Sequence, residues 1–240
     1  DVAYQATFFF FSFFILWVEK KKGRNDMQKN YLSTEIVFVL DRSGSMQGLE
    51  KETIGGYNSL LSNQKRMEGE CLVTTILFDH AYEVLHERRN IHGIDPLTSK
   101  DYFARGTTAL LDAIGKTIQL IKRTQQRSEN KPSKTLFVIT TDGMENASVE
   151  YTYTKIQQLI EQQKEHHQWE FLFLGANMDA IHTASRMGID SHHAASYKAD
   201  IKGTKKLYGV VDDMVRCMRM DEKEAKDLQA AMDEEEKQSN

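Results

Sequence analysis

Short runs of apolar, β-branched residues alternate along this chain with longer stretches whose apolar positions recur at helical spacing. Residues 34–40 (TEIVFVL), 72–78 (LVTTILF), 134–140 (KTLFVIT) and 169–174 (WEFLFL) are apolar on both alternating faces. That is the pattern of strands covered on both sides. Between them, 49–67 carries Ile54, Tyr57, Leu60 and Leu61 on one side, and 109–125 carries Leu110, Ala113, Ile114, Thr117, Ile118 and Ile121 on one stripe; both predict amphipathic helices. Helices are also predicted over 153–166, over 178–187 with Gly188 as its C-cap, and over most of 203–236. The segment 82–86 follows the second strand after three residues, a separation that suits an antiparallel hairpin. A last strand is predicted over 191–197. Strands alternating with helices predict an α/β fold. Its central sheet is doubly wound and mostly parallel, with helices on both faces and one antiparallel edge strand.

A length of 240 residues accommodates one such domain, placed at 31–220. Hydrophobic residues at 40% and charged residues at 28% describe a globular chain, and two prolines exclude proline-rich linkers. Cys71 and Cys217 are too few and too isolated for a disulfide framework or a CxxC zinc site. A reducing, cytoplasmic compartment is therefore expected. The net charge of −4 gives no basic bias toward nucleic acid. Acid gathers at the end, with eight Asp or Glu against three Lys in 221–240. This segment reads as a solvated helical tail.

The stretch 1–30 is set outside the fold. Its apolar run 8–18 has eleven residues, too few to cross a bilayer, while counting from Val2 gives about 17, the lower limit. Basic residues follow the run, whereas a signal peptide would have them in front. Residues 1–26 read as upstream read-through or a fragment boundary. The alternatives are a membrane anchor with the domain on the cytoplasmic side, the one case in which a membrane is a partner, and a core element of the fold.

In open α/β sheets, ligands bind off the carboxyl ends of the strands. The loops that matter are therefore Asp41-Arg42-Ser43-Gly44-Ser45-Met46, Thr141-Asp142-Gly143, and Arg105-Gly106-Thr107-Thr108-Ala109-Leu110 before a helix. They offer two carboxylates and several hydroxyls, all hard oxygen donors of the kind Mg²⁺ prefers. Asp41, Ser43 and Ser45 alternate, so an extended loop would point them to one side, with Gly44 allowing a tight turn.

Asp41-x-Ser43-x-Ser45, Thr108 and Asp142-Gly143 resemble the metal-ion-dependent adhesion site (MIDAS) of the von Willebrand factor type A (VWA) domain family. The resemblance covers roughly 33–200. It implies that Ser43, Ser45 and Thr108 coordinate Mg²⁺, with Mn²⁺ as an alternative, through their hydroxyls. Asp41 and Asp142 would bind directly or through water. Thr108, followed by Ala109-Leu110, fits the family pattern better than Thr107. Gly44, Gly106, Thr107, Gly143, Glu145 and Asn146 would form the rim. The stretches 141–148 and 174–180 resemble small stand-alone bacterial VWA proteins.

The function implied is a metal-dependent protein-binding module that captures an Asp or Glu carboxylate of a protein partner. One alternative is a regulatory or scaffold subunit of an AAA+ ATPase or chelatase-like complex. A metal-dependent hydrolase is the weaker one, because Glu145 alone stands near as a general base and no GxSxG elbow surrounds the serines. The chain is expected not to be an enzyme. Gly115-Lys116-Thr117 lacks the first glycine of a phosphate loop, since Leu110 stands there. The pairs His166-His167 and His192-His193 read as surface residues, and Cys217 as core packing.

Overall fold

The structure, a computed structural model, describes residues 33–176, 180–198 and 200–219. The segments 1–30 and 221–240, and the predicted helix start at Met178, lie outside the described residues.

Six strands form one sheet: β1 (Thr34–Asp41), β2 (Cys71–Phe78), β3 (Tyr82–Asn90), β4 (Lys134–Thr141), β5 (Glu170–Ala176) and β6 (Ala194–Tyr197). Their spatial order is β3-β2-β1-β4-β5-β6. Every neighbouring pair is parallel except β2 and β3. The helices are α1 (Glu50–Gln64), α2 (Leu110–Arg127), α3 (Tyr153–His167), α4 (Ala180–Arg186) and α5 (Ile201–Arg219). The predicted class is the observed one: doubly wound, mostly parallel, with an antiparallel edge strand.

All eight residues of β1 are buried, because alternate side chains enter two different cores. Ile36, Phe38 and Leu40 pack with Tyr57, Leu60 and Leu61 of α1 and Leu207, Val211 and Met214 of α5. Val37 and Val39 pack on the other face with Ile114, Ile118 and Ile121 of α2 and Ile156 and Ile160 of α3. This two-sided burial is what produces the uninterrupted apolar runs in the sequence. Among the described residues no helix is long and apolar enough to cross a membrane.

Three boundaries differ from expectation by three residues or more. Helix α1 stops at Gln64, because the N–H groups of Arg66 and Met67 turn back to the carbonyls of Asn63 and Gln64. Gly69 then takes a left-handed backbone, φ +91°, on the way into β2. The last strand is only Ala194–Tyr197, because Ser191–His193 form a 3₁₀ turn. Strand β3 runs on to Asn90 through a register shift opposite Thr75. Gly188 does close α4, with φ +76° and its N–H on Ser185.

Strand order reverses direction at β1, whose neighbours are β2 on one side and β4 on the other. Consecutive crossovers leave this switch on opposite sides, and a crevice opens beyond the strand ends. Asp41 and Thr141 end the two central strands there.

Candidate metal site

The donor cluster is built by three loops that leave this switch point. Asp41 is buried at the end of β1 and spends both oxygens locally. Oδ1 accepts the Ser43 N–H at 2.6 Å, and Oδ2 accepts the Thr141 hydroxyl at 2.5 Å. The Tyr102 hydroxyl donates to its carbonyl. Beyond Ser43 the chain does not stay extended. Gly44–Met46 form a 3₁₀ turn, with the Met46 N–H on the Ser43 carbonyl. The serines nevertheless meet, Oγ to Oγ at 3.0 Å, and Ser45 Oγ donates to Asp142 Oδ1 at 2.6 Å. The expected extended loop is thus corrected: the bond from Asp41 to the Ser43 N–H folds the turn that brings the hydroxyls together.

Gly143 marks the point on which the loops converge. A Cβ there would lie 2.8 Å from Thr108 Oγ1, 3.1 Å from Ser45 Oγ and 3.6 Å from Ser43 Oγ. Hydroxyls far apart in sequence therefore surround one small space, with the Asp142 carboxylate bonded into it. Thr108 is buried and supplies the converging hydroxyl, whereas Thr107 is exposed.

Both carboxylates sit above their ordinary range. Burial pushes Asp41 up to about 6, against hydrogen bonds from Thr141 and Ser43, and the neighbouring Asp142 adds to the rise. Burial also raises Asp142, against its bond from Ser45. Anionic oxygens held together at this cost are relieved by a cation. Among the described residues, no group of three or more His, Cys, Asp or Glu gathers as a metal site, so any metal here depends on the hydroxyls. Two carboxylates and three neutral hydroxyls fit a hard divalent cation and leave it close to charge-neutral.

The remaining rim residues shape the loops. The Gly44 N–H donates to the Gly106 carbonyl at 3.0 Å, and a Cβ on Gly44 would stand 3.2 Å from that oxygen. Close approach, rather than a left-handed turn, is what favours glycine at 44. Gly106 is left-handed, φ +68°, and a Cβ there would meet the His80 ring at 2.1 Å.

Glu145 and Asn146 support the site from behind. Glu145 accepts the N–H groups of Leu111, Ala147 and Ser148 and the Ser148 hydroxyl. It thereby caps α2, whose N-cap residue Ala109 has no side chain to do so. These bonds occupy the carboxylate that hydrolysis would need as a base. Asp112 binds the N–H groups of Val149, Glu150 and Tyr151, fastening the rest of the loop to the same helix.

Sequence reasoning passed over Asp79, which directly follows β2 and is wholly buried between Arg42 and Arg105. The signal was available, since an aspartate just after a buried strand is what singled out Asp41 and Asp142. Gly115-Lys116-Thr117 lies inside α2, where a Cβ on Gly115 would stand 2.4 Å from the Tyr151 ring. Its glycine serves helix packing. His166, His167 and His192 are exposed, Cys71 is buried in β2 as a free thiol, and the side chain of Cys217 lies outside the description.

No family model and no curated protein matches the chain. Solved structures do. The pilus adhesin SpaC from Lactobacillus rhamnosus GG, in an open conformation, superposes with a TM-score of 0.60 at 11% identity, over 80% of this chain and 31% of that one. The vWF domain of the type V pili tip protein Mfa5 from Porphyromonas gingivalis gives 0.55 at 9% identity, over 80% of this chain and 97% of that one. Proximal thread matrix protein 1 from the mussel byssus, with a zinc occupied MIDAS motif, gives 0.55 at 11% identity, over 77% and 48%. This chain thus spans less than half of the mussel protein and about a third of the adhesin. At such identities the likeness establishes the fold.

Proposed function

We propose that this chain, which has the von Willebrand factor type A fold, is a metal-dependent protein-binding module that captures an Asp or Glu carboxylate of a protein partner. The observation that carries the reading is the convergence of the Ser43, Ser45 and Thr108 hydroxyls beside Gly143, with Asp142 bonded to Ser45, at the switch point of the sheet.

On this reading Ser43, Ser45 and Thr108 hold a divalent cation through their hydroxyls. Asp142 and Asp41 act directly or through water. Mg²⁺ is the resident expected from the all-oxygen donor set, with Mn²⁺ as a substitute. A dication bound there supplies a coordination position that accepts one anionic oxygen from outside. The chain's own part is to fix the donors. Asp41 orients Ser43 and is itself held by Thr141, and Asp142 orients Ser45. The zinc-occupied MIDAS of the mussel byssus protein supports the assignment of a metal to a site on this fold.

A single metal–carboxylate contact carries little selectivity, so the surrounding surface must supply the rest. Phe103 and Met144 stand on two of the loops and are 42% and 75% exposed. Binding is favoured over hydrolysis because Glu145 is committed to capping α2.

The test is capture of partner from the native host with and without chelator, alongside calorimetry with Mg²⁺. Capture lost in EDTA and restored by Mg²⁺ or Mn²⁺ supports the reading, as does loss of Mg²⁺ binding in Asp41→Ala and Asp142→Ala with the fold kept. Capture indifferent to chelator, or unchanged Mg²⁺ affinity in both variants, overturns it.

A further inference from the structure

Asp79 lies beside the donor cluster but outside it, and its bonds reach two of the three donor-bearing loops. Its Oδ2 accepts Arg42 Nε at 2.9 Å and Arg105 Nε at 2.8 Å. Its Oδ1 accepts the Ala81 N–H at 2.7 Å and faces His80 Nδ1 at 3.1 Å. Its carbonyl accepts the Ala109 N–H at 3.0 Å. Arg42 is buried between the ligand candidates Asp41 and Ser43, and its guanidinium also pairs with Glu83 at 2.7 Å.

The backbone repeats the same connections. The Arg105 N–H donates to the Arg42 carbonyl at 2.8 Å, and the Gly44 N–H donates to the Gly106 carbonyl at 3.0 Å. Thr108 is therefore bracketed. On its N-terminal side, Arg105 and Gly106 are tied to residues 42 and 44 of the serine loop. On its C-terminal side, Ala109 is tied to Asp79 itself. One carboxylate thus closes the circuit between the loop carrying Ser43 and Ser45 and the loop carrying Thr108.

A buried ionic group of this kind is a weak source of stability compared with apolar packing, and fixing a geometry is the better reason to keep one. Burial pushes the Asp79 carboxyl up, yet the bonds from Arg105, Ala81 and Arg42 outweigh it and hold the group below its usual range. With both arginines on Oδ2, Asp79 is committed to the loops rather than offered to an ion.

We propose that Asp79 is a positioning residue of the metal site: through Arg42 and Arg105 it sets where the Thr108 hydroxyl stands relative to those of Ser43 and Ser45. Affinity for the cation then depends on a carboxylate that touches no metal. The proposal rests on the reading of the cluster as a divalent-cation site. Outer partners that orient metal donors typically change affinity about 10- to 100-fold when removed.

The test is a double-mutant cycle read by Mn²⁺ binding, using electron paramagnetic resonance of the free ion on the full chain. Asp79→Asn is expected to weaken Mn²⁺ binding by about 10- to 100-fold, and Thr108→Val to weaken it as well. The double variant should bind about as weakly as Thr108→Val alone, because Asp79 acts through that hydroxyl. Wild-type affinity in Asp79→Asn overturns the proposal. So does a double variant in which the two losses multiply, the result expected if Asp79 affected binding independently of the Thr108 hydroxyl. Should Asp79→Asn fail to show a cooperative melt, Arg105→Gln takes its place in the cycle, with the same merging of effects expected and the same multiplication overturning it. A wild-type chain that binds no Mn²⁺ overturns the metal reading beneath, a result distinct from a change confined to the variants.

Discussion

Thr108 and Asn146 hold one another by a reciprocal pair of hydrogen bonds. The Thr108 N–H donates to Asn146 Oδ1 at 3.0 Å, and the Asn146 N–H donates to the Thr108 carbonyl at 3.1 Å. The pair joins the loop after β4 to the loop before α2, across 38 residues of sequence. Asp142 and Thr108, the donors those loops carry, are thereby kept in register.

Replacing Asn146 with alanine removes the acceptor for the Thr108 N–H. The expected cost is about 1–3 kcal/mol of stability, because the buried Thr108 N–H is left without its acceptor, with Mn²⁺ affinity falling by about tenfold or more. Asn146→Asp keeps an acceptor and should recover most of both. Denaturant melts and Mn²⁺ titration of the two variants check this.

Gly143 has no room for a methyl group. Gly143→Ala would place a carbon 2.8 Å from Thr108 Oγ1 and 3.1 Å from Ser45 Oγ. Overpacking of this kind costs about 1–3 kcal/mol. Divalent binding should suffer more than stability, because the displaced atoms are the donors. Calorimetry with Mg²⁺ should show heat in the wild type and none in a folded Gly143→Ala.

The pH dependence follows from Asp41, whose carboxyl stands at about 6 in the folded chain against an ordinary value near 3.8. A raised carboxyl favours the protonated folded state. Its contribution to the metal-free protein is therefore full below the ordinary value and is lost as pH rises through about 6. A dication competes with that proton. Added Mg²⁺ should raise the melting temperature little at about pH 5 and clearly at about pH 7.5. Thermal melts at both pH values check this, and Asp41→Asn should abolish the difference.

The apolar runs ending in aspartate made the centre of this fold readable. At β1, β2 and β4 local composition and tertiary burial demand the same residues, so the strands and the loops after them could be placed from pattern alone. Strand β3 was readable only to His86, from its short separation from β2, because Glu87-Arg88-Arg89 adds no apolar position that would extend it. Arg88 takes φ +44° at the register shift and donates its N–H to Thr74 Oγ1, a contact that no local pattern encodes. The loop donors were legible as a set of residue types, while their geometry was not. The turn at Gly44–Met46 depends on Asp41 accepting the Ser43 N–H. The roles of Glu145 and Asp79 depend on partners 34 and 37 residues away. Spacing along the chain records periodic burial; it does not record which distant N–H a carboxylate will meet.

The central claim is that oxygens from three loops surround a divalent cation beside Gly143. Anomalous diffraction from crystals equilibrated with Mn²⁺ tests it most directly. The account predicts one strong anomalous peak enclosed by the side chains of Ser43, Ser45, Thr108 and Asp142. A map at saturating Mn²⁺ with no peak there, or with the ion bound elsewhere on the domain, would contradict it.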